Sequence, residues 1–243
     1  MTASSNAPGL IRLLETPVPG VESVLPIATA AALDIWRARP GDILTVCAAD
    51  GTFHRGRLLD NGAQVRVFEP LIPAPEPPAP RRLIQCLPNR ERMRWIVEKA
   101  VEFGATELIP LACDKAYVGE QAPKQDKSAT WSRVALEAAR QCRRATVPPV
   151  RTPQTLADLL AARDADEIWF MLDRDESQPL GVLAADLRHQ PLSILVGPEG
   201  GWSVEERAVL RAAGAVTVRV GARVLRTESA GLAVLATLAA FET

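Results

Sequence analysis

The stretch Leu192-Ser-Ile-Leu-Val-Gly-Pro-Glu-Gly-Gly-Trp-Ser203 runs a mostly apolar, strand-like segment straight into a glycine-rich turn. Ser203 stands three residues before Glu206, the spacing of a capping box, so a helix should begin just past the turn and run through about Ala213. In an open α/β sheet, ligands sit outside the carboxyl ends of the strands, which is where Gly197 to Gly201 must lie. Glycines there let a ligand approach bare backbone. A tight strand-to-helix turn without a ligand is the alternative. A phosphate loop would need a Lys followed by Ser or Thr after its last glycine. The chain has Gly201-Trp202-Ser203 instead, and the dinucleotide pattern GxGxxG is also missing. A ligand held here is therefore expected to carry a nucleoside or an amino acid rather than a triphosphate.

Further apolar strand runs lie at Leu83 to Leu87, Glu107 to Leu111, Ile168 to Leu172 and Val216 to Val220, separated by helical patterns. Such alternation implies an α/β domain with a mainly parallel sheet. In the first helix Met93, Ile96, Val97, Ala100 and Val101 form a core-facing stripe, and Gly104 is placed to end it. Before this domain lies Pro70-Leu-Ile-Pro-Ala-Pro-Glu-Pro-Pro-Ala-Pro80, which cannot supply regular backbone donors and reads as a semi-rigid linker. Earlier still come β-prone runs at Ile43 to Cys47, Phe53 to Leu59 and Gln64 to Phe68, the last two joined by Asn61-Gly62, a hairpin signal. The expected organisation is a small β-barrel-like domain over 1–72, a linker over 73–80 and an α/β domain over 81–243.

The 243 residues are 47% hydrophobic and 23% charged, with a formal net charge of -1, so no global positive field advertises a nucleic-acid partner and any basic surface must be local. No stretch offers the roughly 20 apolar residues of a membrane span, and no signal-peptide pattern opens the chain. A soluble cytoplasmic protein is expected. Cys47, Cys86, Cys113 and Cys142 are widely spaced and share no ligand-like spacing with His54 or His189, so buried thiols are expected and no metal.

Arg223, Arg226 and Glu228 lie between a core strand and the almost wholly apolar run Gly231 to Phe241. Charges held there need partners, either one another or a ligand. A helix apolar on every face must be buried on every face, against a second subunit or within its own domain. On the helix around Trp131 to Arg144, Arg133, Glu137, Arg140 and Arg144 share a face that could meet phosphate or simply face solvent. Arg81, Arg82, Arg90, Arg92 and Arg94 add local positive charge, with the same two readings.

Val196-Gly-Pro-Glu-Gly-Gly-Trp-Ser203 together with Val220-Gly-Ala-Arg-Val-Leu-Arg-Thr-Glu-Ser-Ala230 resembles the paired signature of the bacterial 16S rRNA uridine-N3 methyltransferases. Trp95 to Ala105 and Gln141-Cys-Arg-Arg144 leading to Pro148 are similar to further family segments, and the likeness is weak before residue 80. Arg140, where a Glu is expected, and Asn89, at a usually basic position, depart from the pattern. The resemblance implies a SPOUT-type C-terminal domain with a trefoil knot, preceded by a PUA-like β-barrel that binds RNA. It implies S-adenosyl-L-methionine held in the loops after Leu172, after Val196 and from Val220 to Thr227, and a homodimer formed through the C-terminal helix.

On that resemblance the cofactor contacts are Leu172, Val196, Gly197, Pro198, Glu199, Gly200, Val220, Gly221, Leu225 and Thr227. Arg226 would lie near the developing uridine anion or the donor's carboxylate, and Glu199 or Glu228 would orient groups or accept a proton. No metal is required, because a sulfonium is already an excellent methyl donor. The partner would be 16S rRNA or the small ribosomal subunit, contacted through Arg12, Lys99 and Arg144. The competing readings are a related knotted methyltransferase acting on tRNA or on a ribose 2′-hydroxyl, a non-catalytic RNA binder, and an α/β phosphate-binding enzyme resting on Gly197 to Gly201 alone.

Overall fold

The computed structural model describes residues 7–60, 62–115, 128–174, 177–183 and 187–242. The chain divides into two compact units, Met1–Pro77 with Leu136–Pro148, and Pro78–Ala135 with Pro149–Thr243.

In the first unit, β1 (Ile11–Arg12), β2 (Glu22–Val24), β3 (Ile43–Cys47), β4 (Phe53–Leu58) and β5 (Gln64–Leu71) form one sheet in the order β1-β3-β4-β5-β2, with α1 (Ala30–Trp36) between β2 and β3. β1 pairs with β3 in parallel and the remaining ladders are antiparallel. The three sequence runs are thus strands, and β4 and β5 form the expected hairpin. Asn61 lies outside the described residues; Gly62 turns the chain at φ +66° and donates to the Leu59 carbonyl at 2.9 Å.

The sequence kept everything after residue 81 in one domain, whereas Leu136–Pro148 groups with the first unit. Hydrogen bonds explain this. The Glu76 carboxylate, within the proline stretch, accepts from the backbone N–H groups of Ala145 (2.7 Å) and Thr146 (2.9 Å), and the Thr45 hydroxyl donates to the Arg143 carbonyl at 2.9 Å. Arg144, expected on a basic helix face, lies beyond the end of its helix. Its side chain is only 3% exposed and pairs with Glu76 at 2.5 Å. It is a buried structural cation and is not available to RNA phosphate.

The second unit contains β6 (Arg81–Cys86), α2 (Arg90–Glu102), β7 (Glu107–Ala112), β8 (Gln154–Thr155), α4 (Leu156–Ala161), β9 (Ile168–Leu172), β10 (Gln178–Pro179), α5 (Leu180–Leu183), β11 (Leu192–Val196), α6 (Val204–Ala212), β12 (Val216–Arg219) and α7 (Thr227–Ala239). Helix α3 (Ser128–Gln141) begins in this unit and ends in the other. The strand order is β10-β12-β9-β11-β6-β7-β8, and each of these ladders is parallel. β11 is buried along its whole length, as a central parallel strand covered on both faces must be.

Met93, Ile96, Val97, Ala100 and Val101 are fully buried, so the α2 stripe is core. β6 starts earlier than its apolar run because two arginines are satisfied internally. The buried Arg81 donates to the Gln190, Leu187 and Arg188 carbonyls, and burial lowers its pKa from the ordinary value. Arg82 pairs with the buried Glu167, which also accepts from the Trp169 indole (2.8 Å) and the Ser193 hydroxyl (2.7 Å). These two arginines are framework, not surface charge. The expectation of isolated thiols is corrected at one pair: Cys86 and Cys113 are joined by a disulfide, because β6 and β7 pair side by side and bring two distant positions within 5.9 Å between Cα atoms. Cys47 and Cys142 are thiols outside that disulfide, and burial pushes the Cys47 thiol pKa up.

Helix α7 buries Leu232, Val234, Leu235 and Leu238, while Ala230, Ala233, Ala236 and Ala239 stay half-buried. Full burial on every face is therefore not met within this chain. No helix among the described residues is long and apolar enough to cross a membrane.

Candidate active site

The register of the sheet assembles the site. Val196 pairs with Leu172, and Leu172 with Val218, so the carboxyl ends of β11, β9 and β12 lie level and adjacent. The loops that follow rise from one edge and line one cavity of about 710 Å³, within the usual range for small-molecule sites. Leu172, Val196, Gly197, Pro198, Glu199, Gly200, Val220, Gly221, Leu225, Arg226, Thr227 and Glu228 all line it. Three segments widely separated in sequence are thus brought to one place.

The glycine loop is shaped from beneath. Trp202 is buried, its indole N–H donates to the Leu172 carbonyl at 3.2 Å, and its ring lies so close to Gly197 that a Cβ there would approach it to 3.1 Å. Gly201 turns the chain at φ +68°. The capping box is present: the Ser203 hydroxyl accepts from the Glu206 N–H at 3.1 Å, and the Glu206 carboxylate accepts from the Ser203 N–H at 2.8 Å. Glu206 and Ser203 also engage Asp114 at the end of β7, each at 2.9 Å. The loop is held in one shape by its own chain.

The connector after β12 is tied to that loop by Thr227, whose hydroxyl donates to the Gly197 carbonyl at 2.7 Å and accepts from the Gln85 side-chain amide at 3.0 Å. Arg226 is exposed at the N-cap of α7, and Arg223 is exposed nearby. Glu199 and Glu228 face one guanidinium, that of Arg92 at the start of α2. Nη1 donates to Glu199 Oε1 at 2.6 Å, and Nε lies 3.7 Å from Glu228 Oε1. The other carboxylate oxygen, Glu228 Oε2, is buried and has no hydrogen-bond partner among the described residues.

Sequence reasoning grouped Arg92 with four other arginines as generic local charge, and only the fold separates it from Arg81 and Arg82. Asp173, paired with Arg207 at 2.7 Å, and Arg174 also line the cavity without having been singled out. Gln85 gave a readable signal, a polar residue inside an otherwise apolar strand core. Among the RNA candidates, Arg12 is half-buried in the first unit with Nη1 3.9 Å from the Cys47 sulfur. Lys99 lies on α2 with its ammonium 2.8 Å from Glu102 and 2.9 Å from Glu98, which raise its pKa.

A shaped glycine loop over a ligand-sized cavity at the carboxyl edge of a parallel sheet defines a ligand-binding α/β domain. Residues 75–239 match the family model of the RNA methyltransferase domain. Ribosomal RNA small subunit methyltransferase E of Mycobacterium bovis is 32% identical over 215 residues, covering 84% of this chain and 80% of the relative, and that of Bacillus subtilis is 28% identical over 216 residues, covering 85% and 84%. The crystal structure of ribosomal RNA small subunit methyltransferase E from Neisseria gonorrhoeae bound to S-adenosyl methionine superposes with a TM-score of 0.65 at 28% identity, over 93% of this chain and 95% of that one. The chain belongs to the RNA methyltransferase domain family, among the ribosomal RNA small subunit methyltransferase E proteins.

Proposed function

We propose that this protein transfers the methyl group of S-adenosylmethionine to N3 of a uridine in 16S rRNA of the small ribosomal subunit. The observation that carries the reading is the convergence of the loops after β9, β11 and β12 on one cavity, in a chain of this family. The residues present fit the cofactor. Bare backbone at Gly197 and Gly200 admits a flat adenosine, and Leu172, Val196 and Leu225 supply apolar walls. The bound sulfonium would supply the methyl group to a nucleophilic nitrogen.

Contacts from Leu172, from Val196 to Gly200, and from Val220, Gly221, Leu225 and Thr227 hold the cofactor. Uridine N3 carries a proton between two carbonyls, so the site must remove that proton and stabilise the resulting charge. Arg226 supplies a fixed cation, and Glu199 or Glu228 takes the proton. The target base is reached outside a duplex, because its Watson–Crick edge is the edge modified. The first unit serves as a PUA-like, RNA-binding barrel, with Arg12 and, on α2, Lys99 as backbone contacts. The second unit is read as SPOUT-type, its α7 closing a trefoil knot, and the half-buried alanine face of α7 as the homodimer contact.

The test is methylation of unmodified small subunits by the purified protein with labelled S-adenosylmethionine, followed by nuclease digestion and mass analysis. N3-methyluridine is expected. A ribose-methylated product, or methylation of tRNA only, would replace this substrate assignment. Failure to bind S-adenosylmethionine, or to methylate any RNA, would remove the enzyme reading.

A further inference from the structure

Arg92 occupies a place that the proposed reaction leaves without a role. Among the described residues of α2 it alone lines the cavity, and it faces both carboxylates there. Its guanidinium has five donors in a rigid fork. Nη1 is used by Glu199 and Nε points towards Glu228, while Nη2 has no partner among the described residues. Beside it, Glu228 Oε2 is buried without a hydrogen-bond partner, although its sister oxygen lies 3.7 Å from the same guanidinium. A donor edge and a buried, unpartnered acceptor therefore stand side by side in the cavity wall. The imide edge of uracil presents the complementary pair, an N–H next to a carbonyl oxygen. Cytosine presents neither an N3–H nor a second carbonyl on that edge.

We propose that Arg92 and Glu228 together recognise and activate the uracil edge, Glu228 Oε2 accepting the N3 proton while Arg92 donates to the adjacent carbonyl oxygen, where the anion's charge collects. This rests on the methyltransferase reading above. The N3–H bond breaks, its proton passes to Glu228, and its electron pair remains on the base, delocalised into the carbonyl that Arg92 holds. The N3 pair then forms the bond to the methyl carbon as the donor's S–C pair returns to sulfur, and Glu228 later gives its proton to solvent. Glu199 anchors Nη1 and fixes the fork. Arg92 is thus a catalytic residue, and Glu199 a positioning residue acting through it.

The experiment uses full-length protein, Glu228→Gln, Arg92→Gln and Arg92→Lys, with small subunits as substrate and pH varied from neutral to alkaline. Arg92 from α2 faces Glu228, and the other charged groups lining the same cavity are Glu199 from the glycine loop, Asp173 and Arg174 after β9, Arg207 from α6, Arg219 from β12, and Arg223 and Arg226 from the connector. Glu228→Gln should lower kcat at neutral pH by about 100-fold or more, the usual worth of a positioned general base, and the loss should shrink as alkaline solution ionises N3 unaided. Arg92→Gln should lower kcat by about 100-fold at every pH, with Arg92→Lys intermediate. Calorimetry should show S-adenosylmethionine affinity unchanged in all three, which also reports that the variants are folded. Wild-type kcat in either neutralising variant, or a Glu228→Gln loss that does not narrow with pH, would overturn the assignment while leaving the methyltransferase reading intact. An inactive wild type would remove that reading and this inference with it.

Discussion

Gly197 and Gly200 belong to one loop but carry different constraints. A Cβ at Gly197 would meet the buried Trp202 ring at 3.1 Å, and that ring is itself fixed by its hydrogen bond to Leu172. At Gly200 the nearest atom is the flexible Lys115 stem, Cδ at 3.3 Å. Gly197→Ala should therefore tilt the loop and weaken S-adenosylmethionine binding at least tenfold, or about 1.4 kcal/mol, whereas Gly200→Ala, which keeps the loop's shape and only narrows the backbone face offered to the ligand, should lose less. Isothermal calorimetry on both variants checks this, and equal losses would show that loop geometry is not set by Trp202. The motif was legible as glycine-rich. Which glycine lacks room was not, because the limiting neighbour is a side chain placed by a third segment.

Among the elements, α7 shows why a helix with no polar face can still have a defined seat. Gly231 lets it approach β6 and β11 so closely that a Cβ would lie 2.6 Å from Leu83 Cδ1 and 2.8 Å from Val196 Cγ2. Gly231→Ala gains helix propensity of about 1 kcal/mol yet must push apart a packed core, which typically costs about 1–3 kcal/mol. Net destabilisation in urea unfolding is expected, and Gly231→Val should lose more. Because α7 is capped by Arg226 and carries Thr227 and Glu228 in its first turn, the same displacement should weaken cofactor binding. In the parallel sheet β7, β9, β11 and β12 match their sequence runs to within one residue, whereas β5 in the first unit runs three residues past its own. β6 was read two residues short because Arg81 and Arg82 are polar in sequence but satisfied by carbonyls and Glu167 in the fold.

At the scale of the whole molecule, the segment Leu136–Pro148 belongs with the residues before Pro77, and Arg144 is part of the reason. Removing one partner of a buried ion pair strands the other charge, at a cost of about 3–5 kcal/mol. Arg144→Met should lower the unfolding free energy measured in urea by that amount and leave the salt dependence of RNA binding unchanged. A reduced salt slope without loss of stability would return Arg144 to the RNA surface. The half-buried alanine face of α7 makes its own prediction. Sedimentation equilibrium should find a dimer, and Ala233→Glu, which places a charge on that face, should shift it towards monomer.

The parallel α/β domain, the capped helix after the glycine loop and most of the residues that gather at the cavity were legible in the sequence. Those depend on local pattern: apolar periodicity, capping spacing and a paired signature carried by contiguous residues. What each charge does became visible in the fold. Arg81, Arg82, Arg92 and Arg144 are indistinguishable as letters, yet one is caged by carbonyls, two are locked in structural ion pairs and one faces two carboxylates across the cavity. A charge takes its role from its partners and its exposure, and both are set by residues tens of positions away.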